Sequence, residues 1–176
     1  EQVKVIAEDR TKENRGTALL TMGSQAGRLL STGDVEAGEG AVNWLVETWH
    51  QAEGNHERLL VLEALGNAGH ESVIPLVDLA LADIDPTLRA AAAHALRRLP
   101  GVAIDARLAT LLLSDPSAEV RVKVVSAYGS RPVDPALQAM QTAAVTDAHE
   151  TVRSRLVGLL SSELDRYPQL APSLRQ

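Results

Sequence analysis

The chain has 176 residues, which is enough for one domain or a short array of repeats with a sizeable buried core. Hydrophobic residues make up 45% of it but aromatic residues only 2%, so the core must be built from Leu, Val and Ala, which favours closely stacked helices. A formal net charge of −6 argues against a phosphate-binding surface, and the lack of cysteine excludes disulfides and thiolate metal sites. We expect no nucleic-acid partner.

The longest apolar runs, such as LATLLL at 108–113, are far shorter than the roughly 20 residues that a membrane-spanning helix needs. No membrane span is expected. The chain starts at Glu1 without an initiator methionine or a visible signal peptide, so we expect an excised or processed piece. This leaves the compartment open.

Two helix endings in the first part of the chain resemble each other: LLTMGSQAG and LEALGNAGH. Gly23 and Gly66 each lie eight residues after an arginine. A glycine inside a helix costs about 1 kcal/mol relative to alanine, so we predict that these two allow close packing of two backbones. Gly27 and Gly69 follow them, and we predict that the helices end there because a left-handed glycine commonly terminates a helix.

The rest of the chain predicts helices in pairs. The first helices of these pairs are predicted at 35–51, 72–82, 105–114 and 134–145. Asp-Pro opens the second helix at 85–86 and at 115–116, where Asp can cap the helix and Pro suits its first turn. Apolar residues then recur at helical spacing, as at Leu156, Leu159 and Leu160. Since neither helix can bury its apolar face alone, the pairs must stack into a shared core.

An aspartate and an arginine six residues apart recur along the chain, and we call this the Asp–Arg motif. Its members are Asp83 with Arg89, Asp115 with Arg121, and Asp147 with Arg153, at intervals of 32 residues. Asp9 and Arg15 have the same separation, whereas Arg58 has Ala52 at the aspartate position. The arginines define five units followed by a tail. The units are predicted near 1–30, 34–69, 70–100, 101–131 and 132–166, and the tail at 167–176.

The Asp–Arg motif has two interpretations. It could recognise a charged partner, or its members could hydrogen-bond between neighbouring units. The second is favoured because an aspartate at a helix start and an arginine on the next turn are placed to bond across units. Substitution of Arg121 should then lower stability.

The pattern D-x-x-x-[LV]-R-x-x-A-x-x-A-L resembles HEAT repeats over about residues 50–165. The resemblance implies an all-α fold: a right-handed α-solenoid of about five HEAT-like helical hairpins covering 1–166. TALLTMGSQAG and LEALGNAGHESVIPLV are similar to the helical domain of vitellogenin-type large lipid transfer proteins. In that family an α-solenoid wraps lipid-enclosing β-sheets. This chain contains no strand-rich region, so the resemblance does not by itself imply lipid transport.

In HEAT-like arrays the second helices line the concave side, which implies a binding surface there. The residues one and four positions after each arginine form an apolar column, and those assigned to binding are Leu59, Leu62, Ala90, Ala93, Val122 and Val125. Neighbouring helices could instead cover the positions four after each arginine. We predict that substitution of Leu59 and Val122 by Asp leaves the fold intact but disrupts binding or assembly.

Trp44 and Trp49 lie five residues apart on one predicted helix, so their rings point in different directions. One could be a core residue and the other partly buried. Alternatively an exposed ring anchors a partner, since tryptophan is favoured at binding hot spots, and Trp49 is assigned to this role.

No catalytic residue, metal ligand or cofactor is predicted. His50, His56 and His70 flank one junction with several glutamates, but they lack the spacing of a helical zinc motif and favour a solvated cluster. The main hypothesis is a non-enzymatic scaffold whose partner is a protein or an adjoining domain of the same chain. An alternative is the helical wrapper of a lipid-transfer or lipoprotein-assembly protein, with lipid contacted through a neighbouring domain. A HEAT-like DNA glycosylase or bilin lyase is a third hypothesis. A glycosylase needs a cationic groove, and the only adjacent basic pair, Arg97 and Arg98, is too little for one.

Overall fold

A computed structural model describes residues 2–8 and 14–168 of the chain. In these ranges it contains ten α-helices, three short 3₁₀ turns and no strand, so the described part of the chain is all-α as predicted. The helices are α1 (Gln2–Glu8), α2 (Arg15–Thr32), α3 (Val35–His50), α4 (Asn55–Ala68), α5 (Ile74–Leu81), α6 (Pro86–Ala95), α7 (Val102–Ser114), α8 (Ala118–Tyr128), α9 (Leu137–Thr146) and α10 (Glu150–Ser162). Asp9 and residues 169–176 of the predicted tail lie outside the described residues.

The chain forms two compact units, Glu1–Leu99 and Pro100–Gln176, which we call the N-terminal and C-terminal units. In the N-terminal unit α4 contacts α2, α3 and α6, while α5 packs on α6. In the C-terminal unit α7 contacts α8 and α9, and α10 contacts the same two helices. Each unit therefore buries its helices against one another.

The core is aliphatic, as the composition indicates. In the N-terminal unit the largest fully buried side chains are Leu19, Leu45, Leu62, Leu65, Leu88, Leu96 and Leu99. In the C-terminal unit they are Leu108, Leu112, Tyr128, Met140 and Leu156. Within the described ranges, no helix combines the length and the apolar character that crossing a membrane requires.

The two inner glycines sit where helix backbones approach closely, as predicted. A Cβ on Gly23 of α2 would lie 2.7 Å from the Cα atom of Ala64 on α4. A Cβ on Gly66 of α4 would lie 2.8 Å from the Cα atom of Ala95 on α6. Both distances are shorter than carbon atoms tolerate, so the absence of a side chain is what permits these contacts.

The helix end predicted at Gly27 is wrong, whereas the one at Gly69 is confirmed. Gly69 has a φ of 63° and caps α4 in the left-handed conformation. Helix α2 continues past Gly27 to Thr32 and ends at Gly33, which has a φ of 89°. A Cβ on Gly27 would lie 2.9 Å from the carbonyl oxygen of Asn67, so this glycine serves helix packing and not helix termination.

One of the two Asp-Pro helix starts is confirmed. The Asp85 carboxylate accepts a 2.9 Å hydrogen bond from the Thr87 backbone N–H, and Pro86 is the first residue of α6. The prediction at 115–116 is wrong by two residues, because α8 begins at Ala118. There the aspartate bonds to the N–H of Ser117 at 2.8 Å, which forms a turn ahead of the helix.

Candidate functional site

The Asp–Arg motif adopts the same local geometry at the three positions where the structure describes both residues, Asp83 with Arg89, Asp115 with Arg121, and Asp147 with Arg153. In each pair the arginine Nη1 donates to the backbone carbonyl of its own aspartate, at 2.7 Å or 3.0 Å. Each aspartate carboxylate also accepts a 2.8 Å hydrogen bond from the backbone N–H two residues later. The motif thus holds the turn that precedes α6, α8 and α10 in one conformation.

Arg121 also links two helix starts within the C-terminal unit. Its Nε and Nη2 donate to the two carboxylate oxygens of Asp147 at 2.7 Å and 2.9 Å. The side chains are only 12% and 4% exposed. The hydrogen bond from Arg121 holds the pKa of Asp147 below its usual value, and the same bond raises the pKa of Arg121. This contact between successive helix pairs is of the structural kind that the sequence favours.

The structure gives other partners to the first two arginines of the series, Arg15 and Arg58. Arg15 forms an ion pair with Glu57 on α4 and donates to the carbonyl of Ala7. Arg58, which lacks the motif aspartate, places its guanidinium 5.1 Å from the centre of the Trp49 ring. A cation over an indole face is attracted by the negative charge of the ring.

The assignment of Trp49 as an exposed partner anchor is wrong. Its side chain is 7% exposed, because the ring is covered inside the N-terminal unit and lies beneath Arg58. Trp44 is the more exposed of the two tryptophans and is half-buried.

The predicted apolar column is largely core. Four of its six members are buried: Leu62, Ala90, Ala93 and Val125. The assignment of these four residues to a free binding surface is therefore wrong. The alternative, in which neighbouring helices cover the positions four after each arginine, holds for Leu62, Ala93 and Val125. The reason is that second helices pack on each other as well as on their first helices, as α4 does on α2 and α6. Leu59 and Val122 are half-buried. Their role in binding stays a prediction.

An open groove of about 440 Å³ lies in the N-terminal unit, between α2 and the C-terminal end of α4. Ser24, Arg28 and Ser31 line it from α2, at the spacing of one helix face. Asn67 and Gly69 line it from the end of α4, and Arg98 from the 3₁₀ turn Leu96–Arg98. Its volume lies within the range of protein sites that bind small ligands or peptide side chains.

A hydrogen-bond network fixes the wall that α4 contributes to the groove. The Nη1 of Arg98 donates to the Asn67 backbone carbonyl at 2.9 Å, which satisfies one carbonyl at the helix end. The Nη2 of Arg97 donates to the Asn67 side-chain oxygen at 2.6 Å. The amide oxygen is thereby occupied, so the NH₂ group of Asn67 remains as a donor.

Arg97 is buried beside this wall and supports it. Its side chain is 7% exposed, and burial lowers the pKa of its guanidinium, with the Arg98 charge acting in the same direction and Glu63 opposing it. Arg97 also donates to the His94 carbonyl at 3.0 Å. The contact with Gly66 requires glycine there, since a Cβ would collide with the Arg97 guanidinium.

The groove is positively charged on an acidic chain. Arg28 and Arg98 are both exposed, and none of the described residues that line the groove is acidic. Arg28 forms no ion pair with any described residue of the chain. The sequence did not indicate this site, because Arg28 and Arg98 are 70 residues apart and meet only through the packing of α2 on α4.

The histidines that the sequence groups near one junction have separate local roles. The His70 Nδ1 lies 2.8 Å from the Ser72 hydroxyl, and its Nε2 lies 3.9 Å from Glu39. His50 packs against the edge of the Trp49 ring. Over residues 2–8 and 14–168, no three His, Cys, Asp or Glu side chains converge as a metal site would require.

Comparison with protein-family models finds no match for this chain, and a search of curated proteins finds none either. The HEAT-repeat and vitellogenin-type resemblances accordingly stay predictions.

Proposed function

We propose that the chain is a HEAT-like repeat scaffold, a right-handed α-solenoid of about five helical hairpins that binds another protein without catalysing a reaction. The observation that carries this proposal is the Asp–Arg motif. Its two local hydrogen bonds recur at 32-residue intervals before α6, α8 and α10. Recurring contacts at a fixed interval are typical of repeat proteins, whose extended surfaces generally serve recognition.

The binding surface that we propose is the groove between α2 and α4. Its exposed arginines have capacity for further hydrogen bonds, while most of the apolar column is occupied by the packing of the chain itself. Arginine is enriched at protein interfaces because its planar fork makes several directed hydrogen bonds.

The lipid-wrapper alternative has less support, because it assigns lipid or sheet contact to the apolar column. Leu62, Ala93 and Val125 of that column are at most 5% exposed. They have little surface to offer a neighbouring domain.

The scaffold function can be tested by capture of partners with the full chain. Wild-type protein and two variants with equal charge change, R28E/R98E and K123E/R155E, are immobilised and exposed to extract of the source cells. Lys123 and Arg155 are exposed residues of α8 and α10 and do not line the groove. We expect one set of proteins to be retained by wild type and by K123E/R155E and lost from R28E/R98E. Retention of the same proteins by heat-unfolded chain and native chain would contradict the scaffold function.

A further inference from the structure

The charge of the groove indicates which charged groups its ligand carries. Arg28 and Arg98 bring two guanidinium groups, and the described lining residues bring no carboxylate to balance them. The Arg98 Nη1 is bonded to Asn67, which leaves the rest of its fork for a ligand. Guanidinium forks match carboxylates in shape and form short, charge-assisted hydrogen bonds with them.

The neutral polar groups of the groove indicate which hydrogen-bond donors and acceptors the ligand carries. The Ser24 hydroxyl donates to the Leu20 carbonyl at 3.1 Å, and the Ser31 hydroxyl donates to the Arg28 carbonyl at 2.8 Å. Both hydroxyls have used their hydrogen and present acceptor lone pairs, whereas the Asn67 NH₂ group is a donor. A ligand that carries donors and acceptors together, as a peptide backbone does, satisfies this set.

The surface between these groups is made of small residues. Gly27 of α2 and the pair Ala68 and Gly69 at the end of α4 line the groove with no side chain larger than a methyl group. These three residues therefore place no bulky side chain in the groove that would block an extended backbone.

A polyphosphate or nucleic-acid ligand fits less well. Two arginines neutralise few phosphates, and the net charge of −6 on the chain repels a polyanion at longer range. A peptide with one or two carboxylates meets the local positive charge without a large repulsive cost.

From these observations we infer that the groove between α2 and α4 binds an acidic peptide segment, with Arg28 and Arg98 on its carboxylates and Ser24, Ser31 and Asn67 on its backbone. This inference rests on the proposed function, since it names the partner chemistry of the same scaffold. The carboxylates that we assign to the two arginines are those of Asp or Glu side chains, and binding through the C-terminus of the partner is an outcome that the test separates.

The test is fluorescence anisotropy of short labelled peptides with the full chain. One peptide carries two glutamates, a second carries glutamines in their place, and each is made with a free or an amidated C-terminus. We expect the glutamate peptide to bind at least about tenfold more tightly than the glutamine peptide at low salt. Equal binding of the amidated and the free glutamate peptide would support the assignment to side-chain carboxylates. Binding that depends only on the free C-terminus would overturn it.

Substitutions inside and outside the groove test where the peptide binds. Arg28→Ala should weaken the glutamate peptide about tenfold without changing the fold, because Arg28 is exposed and outside the core, and R28E/R98E should abolish binding. K123E/R155E, with the same charge change elsewhere, should bind normally. Three results would overturn the inference. They are equal binding of the glutamate and glutamine peptides, full affinity of Arg28→Ala for the glutamate peptide, and displacement of the peptide by equimolar inorganic phosphate.

The peptide and capture experiments fail independently. If partner capture depends on Arg28 and Arg98 but acidic peptides do not bind, the inference of an acidic peptide ligand is refuted. The proposed scaffold function is then still supported by the capture. Peptide binding without any captured partner supports the groove chemistry and argues against the scaffold function.

Discussion

At the scale of single residues, Arg121 joins two helix starts. Its Nη1 bonds the Asp115 carbonyl at 2.7 Å, while its other nitrogens bond both carboxylate oxygens of Asp147. Asp147 is 4% exposed in its side chain, so loss of the arginine leaves a nearly buried carboxylate without its charge partner. Removing one partner of a buried pair is more costly than the pair itself is worth.

We therefore expect Arg121→Ala to lower the free energy of unfolding by about 3 kcal/mol. Arg153→Ala is the matched control, because Arg153 donates to the Asp147 backbone carbonyl and leaves no charge unpaired. Its loss should be about 1 kcal/mol. Urea denaturation of both variants measures the difference, and equal losses would show that the carboxylate contact adds nothing.

The same pair makes stability depend on pH. The hydrogen bond from Arg121 lowers the pKa of Asp147 below 3.8 in the folded state, so the pair stabilises fully above that value. This contribution is lost as the pH falls through the lowered pKa. The difference in unfolding free energy between wild type and Arg121→Ala should be complete at about pH 6 and shrink below pH 3.8. A difference that is constant down to acid unfolding would contradict it. Asp85, whose pKa is also lowered by the Thr87 N–H, contributes equally to both proteins and cancels.

At the scale of elements, glycines inside helices have opposite roles according to what lies beside them. Gly23 faces the backbone of α4 at Ala64, whereas a Cβ on Gly40 of α3 would have no atom within 4 Å apart from the neighbouring backbone of its own helix. The first is required by helix packing. The second only weakens its helix.

Alanine at these two glycines should therefore change stability in opposite directions. Gly23→Ala forces α2 away from α4 and should cost about 1–3 kcal/mol, as overpacking does. Gly40→Ala should raise the free energy of unfolding by about 0.5–1 kcal/mol, because it adds helix propensity without a clash. Thermal and urea unfolding of the two variants provide the measurement. A gain in stability from Gly23→Ala would mean that the helices can separate freely.

At the scale of the whole molecule, the C-terminal unit has buried polar contacts of its own that hold α7 to the end of α8. In the C-terminal unit Arg131 donates from Nε to the Asp105 carboxylate at 3.0 Å, and the Tyr128 hydroxyl donates to the Asp105 backbone carbonyl at 3.2 Å. Burial raises the pKa of Tyr128, so its hydroxyl stays protonated and remains a donor.

Arg131→Gln should loosen the C-terminal unit selectively. The substitution removes the positive charge that pairs with Asp105, whose side chain is only 10% exposed. Amide hydrogen exchange in α7 and α8 should therefore accelerate. Exchange in α2 and α4 should change little. Lys123→Gln on the exposed face of α8 is the control and should leave exchange as in wild type. Uniform acceleration along the chain would indicate that the two units open as one.

The sequence predicted what depends on local chemistry and missed what depends on the meeting of distant segments. Helix pairs, the Asp85 cap and the packing role of Gly23 follow from propensity and spacing within a few residues. The burial of Leu62 and Ala93 was left open by the sequence as one of two interpretations, because periodicity on one helix cannot distinguish one covering neighbour from two. The groove was also beyond reach, since Arg28 and Arg98 come together only in the folded chain.

Both tryptophans of the chain lie on α3, in the N-terminal unit, and one of them is sealed beneath a cationic side chain. Intrinsic tryptophan emission is consequently a built-in optical reporter of residues 1–99 alone. Circular dichroism, in contrast, registers the helices of both units. Superimposable melting curves from the two signals would mean that the chain unfolds in a single cooperative step, and separated curves would assign the first transition to one end of the chain.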